Sequence, residues 1–282
     1  MPLAELAAEW VMWSGTLGRP PVEDRADAAR AAGYDLLSVG AAEALDWAAS
    51  GVRLSSVAAR VADGGVALHS LDAVVSWTGV DGDPGLVGRL LDTAGELGVA
   101  SITAVTAEPP GTETARLLPG FARLCAEATG RGLGVDLEFV PMSAVGDLAT
   151  ATDLLEEVGL PGVGLVLDTW HFFRGPAPDA GAVVRAARLI RQVQLSDATW
   201  EVRGSLLRDT LTNRRVPGSG EFPLEPLLRL LHEHGALRGI GPEVLSSDLH
   251  ALGPTRAAVA AGTAVDQVLA RALGTPGPLP GG

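Results

Sequence analysis

The chain has 282 residues, 47% of them hydrophobic, which suffices for one core and lies just above the size typical of a closed α/β barrel. All 21 basic residues are Arg, and the lack of Lys excludes Schiff-base aldolase chemistry, lysine-anchored pyridoxal phosphate and a lysine-bearing phosphate loop. A formal net charge of −13 without any positive cluster argues against a nucleic-acid partner and for a small molecule.

The first residues, MPLAELAAEWVMW, lack a basic segment followed by a long apolar one, and no run of about 18 apolar residues occurs anywhere. A cytoplasmic protein without a membrane partner is therefore expected. From there, apolar runs predict strands at 8–13, 34–40, 66–75, 100–106, 134–140, 163–169, 191–197 and 238–244. Segments of helical period alternate with them at 22–33, 84–98, 113–130, 147–159, 180–190 and 224–235, several ending at a Gly suited to a C-cap. Residues 249–273 supply the last helix. Eight strand–helix units in a chain of this length favour a (β/α)8 TIM barrel over an open doubly wound sheet. The expected organisation is one barrel domain over residues 1–273 and a flexible Pro/Gly-rich tail, GTPGPLPGG, over 274–282. Cys125, the only cysteine, lies in an apolar helical stretch, which excludes an intramolecular disulfide and favours core packing.

Chemistry concentrates in the second half. Glu138, Asp168, Gln194 and Glu243 stand at the ends of four successive strand candidates, in LGVDLEFVP, VGLVLDTWH, RQVQLSDA and RGIGPEVLS. In a closed barrel those ends converge on one face. Three carboxylates, an amide oxygen and the neighbouring His171 would form an oxygen-rich nest for a hard or borderline divalent ion. Each residue has a structural alternative: Glu138 as a buried partner of an Arg, Asp168 as a helix cap, His171 and Gln194 as satisfied core groups. The connection from 199 to 222 is long for a barrel loop and carries Arg203, Arg208, Arg214 and Arg215. Arg203 and Arg215 are taken as candidates for binding an anionic or polyhydroxylated substrate, with solvated surface charge as the alternative. His69 and Trp77 are candidates for the pocket mouth, where packing is the competing role. His232 and His234 fall on an amphipathic helix and are expected to be exposed.

In order, LEF…P, LDTWHFFRG, VQLSDA, RRVPGSGE and PEV…S resemble the sugar phosphate isomerase/epimerase family of xylose-isomerase-like barrels, over roughly Glu23 to Ala261. The resemblance implies that Glu138 and Glu243 bind a divalent ion and shuttle protons, that Asp168 is a metal ligand, and that His171 lies near the ligand's oxygens. Most relatives have His where this chain has Gln194, although the hydroxypyruvate isomerase branch resembles it in having Gln. A neutral amide oxygen tilts the expected cofactor toward Mn²⁺ or Mg²⁺ and away from Zn²⁺. Pro242, directly before Glu243, removes a ladder donor and is expected to end strand pairing there.

The reaction implied is movement of a proton next to a carbonyl, through an enediolate, on a sugar-like or polyhydroxy keto substrate, by an isomerase or epimerase. One of Glu138 and Glu243 would take the proton and the other return it. Two alternatives stand beside it: a metal-assisted lyase on the same barrel, either a dehydratase or an enzyme cleaving C-glycosides, and a metal-free binding or partner subunit. Homodimerisation is compatible with such barrels, but the sequence specifies no interface.

Overall fold

A computed structural model describes residues 6, 8–78, 85–176 and 178–274, so the expected tail lies outside the described residues except for Gly274. Within it, eight parallel strands pair in chain order and close on themselves. The strands are β1 (Glu9–Met12), β2 (Leu36–Gly40), β3 (Ala67–Val74), β4 (Ser101–Ala104), β5 (Gly134–Glu138), β6 (Val163–Asp168), β7 (Ile190–Leu195) and β8 (Gly239–Pro242). Seven of the eight sequence-predicted runs contain one of them whole, and β7 starts one residue before its run. The helices before β5 are α1 (Ser14–Leu17), α2 (Val22–Ala31), α3 (Ala41–Ala49), α4 (Leu54–Asp63), α5 (Leu86–Leu97) and α6 (Thr114–Thr129). Those after it are α7 (Leu148–Val158), α8 (Thr169–Arg174), α9 (Ala180–Ala186), α10 (Leu206–Thr212), α11 (Leu224–Glu233), α12 (Ser247–His250) and α13 (Pro254–Leu273).

Strands buried on both faces need continuous apolar runs, and β6 and β7 show them, with Leu165, Val166, Leu167, Val193 and Leu195 all fully buried. Closure between β1 and β8 depends on a missing side chain, since a Cβ at Gly241 would run into the carbonyl of Val11. The register then positions the chemistry. Glu138 pairs with Val166, Asp168 pairs with Gln194, and Leu195 pairs with Pro242. Pro242 is the last residue of β8, and the Glu243 N–H donates to the Leu195 carbonyl at 2.9 Å. The four polar residues thus stand at one level, where strands give way to loops.

Lower in the barrel, a polar network replaces part of the apolar filling. Gln192 donates to Asp136 at 2.7 Å and to Ser101 at 3.2 Å, and its side-chain oxygen lies 3.2 Å from the His69 ring. Cys125 is fully buried on α6, as expected, and burial pushes its thiol up to about 12. The native protein is therefore expected to show no thiol reaction with a disulfide reagent at pH 8, and one equivalent after unfolding in guanidinium. Rapid native labelling would contradict this packing. Among the described residues no helix is long and apolar enough to cross a membrane.

Candidate metal and substrate site

A cavity of about 700 Å³ opens where these strand ends meet, and Glu138, Asp168, His171, Gln194 and Glu243 all line it. Asp168 is completely buried and has two roles. Its Oδ1 accepts the N–H of His171 at 3.0 Å, which caps α8, and its Oδ2 accepts from the Arg214 guanidinium at 2.6 Å. The cap, one of the two roles expected for Asp168, is formed, and the same carboxylate lines the cavity. Burial alone would raise its pKa, but the charges of Arg214 and His171 and the hydrogen bonds they donate hold it below the usual carboxylate range.

His171 comes in on the short helix that Asp168 caps. Its Nε2 lies 3.3 Å from Glu138 Oε1 and 3.4 Å from Arg214 Nη2. Because guanidinium only donates, Nε2 donates to Glu138 in one tautomer and accepts from Arg214 in the other. One ligand atom from each of Glu138, Asp168 and His171 lies within 4.8 Å of the others, a spacing suited to a single cation. Glu243 is not part of that closest trio, although it faces the same cavity.

Two buried acceptors point to a missing positive group. Gln194 Oε1 and Glu243 Oε2 have no hydrogen-bond partner among the described residues. Unpartnered buried oxygens are costly unless something satisfies them, and a hard cation does so for both an amide and a carboxylate. Burial, and then the neighbouring charges of Asp72, Asp168 and Glu138, push Glu243 well above the usual carboxylate range, against the opposing pull of Arg214. Gly15 makes room for that carboxyl, because a Cβ there would strike its Oε1.

Of the four arginines in the 199–222 connection, the one that lines the cavity is Arg214. It is 4% exposed, donates to Asp168, Thr210 and the Glu243 carbonyl, and lies over the Trp170 ring at 5.5 Å. Neither arginine singled out in the sequence reaches the cavity. Arg215 donates to the Ser219 carbonyl, and Arg203 is an exposed residue whose backbone N–H donates to Asp209. The reason is a turn built by Asp197. Backbone N–H groups of Ala198, Gly218, Gly220 and Phe222 all donate to its carboxylate at 2.8–3.0 Å. That turn pairs the Arg215 backbone with Asp197 and leaves Arg214, one residue earlier, facing the site. Arg174 fixes the rest of the loop through Asp209 at 2.9 Å and the carbonyls of Thr199 and Trp200.

His69 and Trp77 are likewise displaced from the expected pocket mouth. His69 belongs to the polar network below the site, and its ring packs edge-on to Trp13. Trp77 is 1% exposed, packs on Phe121 and donates to the Val105 carbonyl. The polar residue that β3 does send to the cavity is Asp72, which was not among the sequence candidates.

Residues 26–262 match the family described as xylose isomerase-like TIM barrel. Among curated proteins no sequence match is found. Of solved structures, the zinc-bound IOLI protein superimposes with a TM-score of 0.80 at 19% identity, covering 95% of this chain and 100% of that one. An L-ribulose 3-epimerase gives 0.72 at 18% identity, covering 94% and 96%. A xylose isomerase-like barrel/4-hydroxyphenylpyruvate dioxygenase fusion gives 0.81 at 19% identity over 94% of this chain, which spans 43% of the fusion's length. At these identities the likeness is one of fold. With the family matched over most of its length, the chain belongs to the xylose isomerase-like TIM barrels.

Proposed function

We propose that the protein is a divalent-cation-dependent isomerase or epimerase that moves a proton on carbon next to a carbonyl of a polyhydroxylated keto substrate. The observation that carries this reading is the convergence of Glu138, Asp168, Gln194 and Glu243 on one cavity, with two of their buried oxygens unpartnered. These four residues would hold the cation. When bound, it would polarise the substrate carbonyl and stabilise the negative charge that develops on its oxygen.

The chain's own residues do the rest. Glu243 and Glu138 both line the cavity, and one would take the proton while the other returns it. Return at the neighbouring carbon isomerises, and return on the opposite face epimerises. His171 lies 3.3 Å from Glu138 and 3.4 Å from Arg214, so the ring and the guanidinium would offer N–H groups to oxygens of a substrate bound beside Glu138. A small-molecule substrate and a single cation account for the lining without nucleic acid or membrane. The likeness to an L-ribulose 3-epimerase supports a ketose as the first probe.

Two measurements test the reading. Protein purified with Mn²⁺ should retain about one equivalent of metal, and it should exchange deuterium from solvent into L-ribulose or another ketose of a panel. Loss of a leaving group in place of exchange would move the assignment to a lyase, and absence of both metal and exchange would make it a binding subunit. Cation preference gives a further expected result. Gln194→His should raise the Zn²⁺-to-Mn²⁺ affinity ratio by about 10-fold or more, because imidazole is the softer donor. An unchanged ratio in competition titrations would remove Gln194 from the ligand set.

A further inference from the structure

Gln194 faces the cavity because β7 carries an extra residue in its pairing with β6. Leu165 pairs with Ile190, and the next residue of β6, Val166, pairs with Gln192, so the pairing skips Arg191. Paired residues of parallel strands share a face of the sheet, and successive residues alternate between faces. Val166 also pairs with Glu138, which lines the cavity, so Val166 and Gln192 belong to the inner face and Leu165 and Ile190 to the outer one. Uninterrupted alternation from Ile190 would send both Gln192 and Gln194 outward. The bulge at Arg191 reverses this, and Gln194 follows Gln192 onto the inner face. No hydrogen bond among the described residues holds Gln194 Oε1, so its place depends on the strand that carries it.

Both residues of this bulge are gripped by one side chain. Asp136 stands on β5 two residues before Glu138 and is 1% exposed. Its Oδ2 accepts from the Gln192 amide at 2.7 Å, and its Oδ1 lies 3.6 Å from Arg191 Nη1, near enough for attraction between charges but too long for a hydrogen bond. The same Arg191 nitrogen donates to the Gly162 carbonyl at 3.0 Å, just before β6. Gly164, on β6, leaves these groups their room, since a Cβ there would strike both the Arg191 stem and Asp136 Oδ1. Gln192 further meets Ser101 of β4 and His69 of β3. The brace thus spans five successive strands, two residues before Glu138 on β5 and two before Gln194 on β7. A carboxyl buried in a barrel interior is destabilising relative to apolar filling, and the best attested role of such a group is to fix register.

We infer that Asp136 locks the β7 bulge by holding Arg191 and Gln192 together, and that this lock is what turns Gln194 into the cavity. None of the three bracing residues lines the cavity, so they act through Gln194 as positioning residues. The inference rests on the proposed function in taking Gln194 as one of the residues that would hold the cation, and it names what places that residue.

Mn²⁺ titrations of the wild type, Asp136→Leu, Asp136→Asn, Gln194→Ala and the double variant Asp136→Leu/Gln194→Ala provide the test. Asp136→Leu should weaken Mn²⁺ binding by about 10-fold or more, the range for removing the support behind a metal ligand. Asp136→Asn still offers Gln192 an acceptor and should recover most of that affinity. With Gln194 already replaced, Asp136→Leu should cause no further loss, a non-additivity that general loosening of the barrel would not produce. A crystal structure of Asp136→Leu gives a readout that needs no metal: the skip at Arg191 should be gone, or Gln194 displaced from the cavity wall. If Asp136→Leu does not fold, Gln192→Met, of similar volume, replaces it in the titrations, the double variant and the crystal structure. Equal losses with and without Gln194, undiminished Mn²⁺ affinity in the folded variant, or a variant crystal structure with the bulge and Gln194 unmoved would overturn the inference and leave the proposed function standing. If the wild-type protein binds no Mn²⁺, the proposed function falls, and the crystal structure alone decides whether Asp136 holds the bulge.

Discussion

Glu243→Gln is expected to lower solvent-deuterium exchange at the substrate carbon by about 10²–10⁴-fold while making the cation-free protein more stable. Both effects have the same origin. Burial, together with the charges of Asp72, Asp168 and Glu138, raises the folded-state pKa of Glu243 well above its unfolded value. A carboxyl raised in this way binds its proton more tightly in the folded state, so the stability it contributes is present at low pH. That contribution is lost as pH rises from the unfolded pKa through the folded one. Gln cannot ionise, so the variant should lose that pH dependence and melt higher than the wild type at pH 8, with a smaller difference at pH 5. The loss of exchange follows because the amide neither takes up the substrate proton nor brings the charge that a cation would share. Glu138→Gln should show a comparable loss of exchange. Full exchange retained by both variants would end the assignment of proton transfer to these glutamates. Metal content measured on each variant separates a lost base from a lost ligand.

The barrel was legible because the strands are buried along most of their length and so read as short apolar runs, with amphipathic segments between. The strand-end residues were legible for the same reason: a carboxylate or amide closing an apolar run is costly unless the fold gives it a partner. Asp168 and Gln194 occupy paired positions in adjacent strands, which strand ends alone could locate to within a residue. Between β2 and β3 the sequence reading named no helix, and the structure places α3 and α4 there. The Ala-rich stretch of α3 has no sharply polar face to betray its period.

Arg214 and Asp72 were harder. Arg214 and Arg215 are adjacent and chemically identical, and only the turn that Asp197 organises from four backbone N–H groups decides which of them faces inward. A signal was present in retrospect, since Gly218 and Gly220 beside a strand-end Asp mark a loop wound around a carboxylate, and a Cβ at Gly220 would strike Asp197. On β3, His69 drew attention by its residue type, but Asp72 is three residues nearer the strand's end and therefore nearer the loops. Position along the strand was the better guide than chemical rarity.

Arg214→Ala is expected to be the most damaging single change in the site for stability, at about 3–5 kcal/mol, the range for removing one partner of a buried ion pair. Arg214 and Asp168 are 3% and 0% exposed at the side chain, so the carboxylate left behind gains no solvent. The hydrogen bonds to Thr210 and the Glu243 carbonyl go with it, as does the contact over Trp170. The pH dependence should change sense as well. In the wild type, Arg214 and His171 depress the folded pKa of Asp168 against the effect of burial. The resulting stability is present above the unfolded pKa and is lost as pH falls through the folded one. Without Arg214, burial dominates, and the variant should instead be least unstable at acid pH, where Asp168 can take up a proton. Arg214→Lys should fall between the two, keeping a charge but losing the fork that reaches several acceptors at once. Urea unfolding at pH 5 and pH 8 measures these differences. Added Mn²⁺ should then stabilise Arg214→Ala by more than it stabilises the wild type, because a cation supplies the counter-charge that Asp168 has lost. An alanine variant as stable as the wild type would show that Asp168 does not depend on the guanidinium, and one indifferent to Mn²⁺ that it does not depend on a metal ion; either result would require a different architecture for the site.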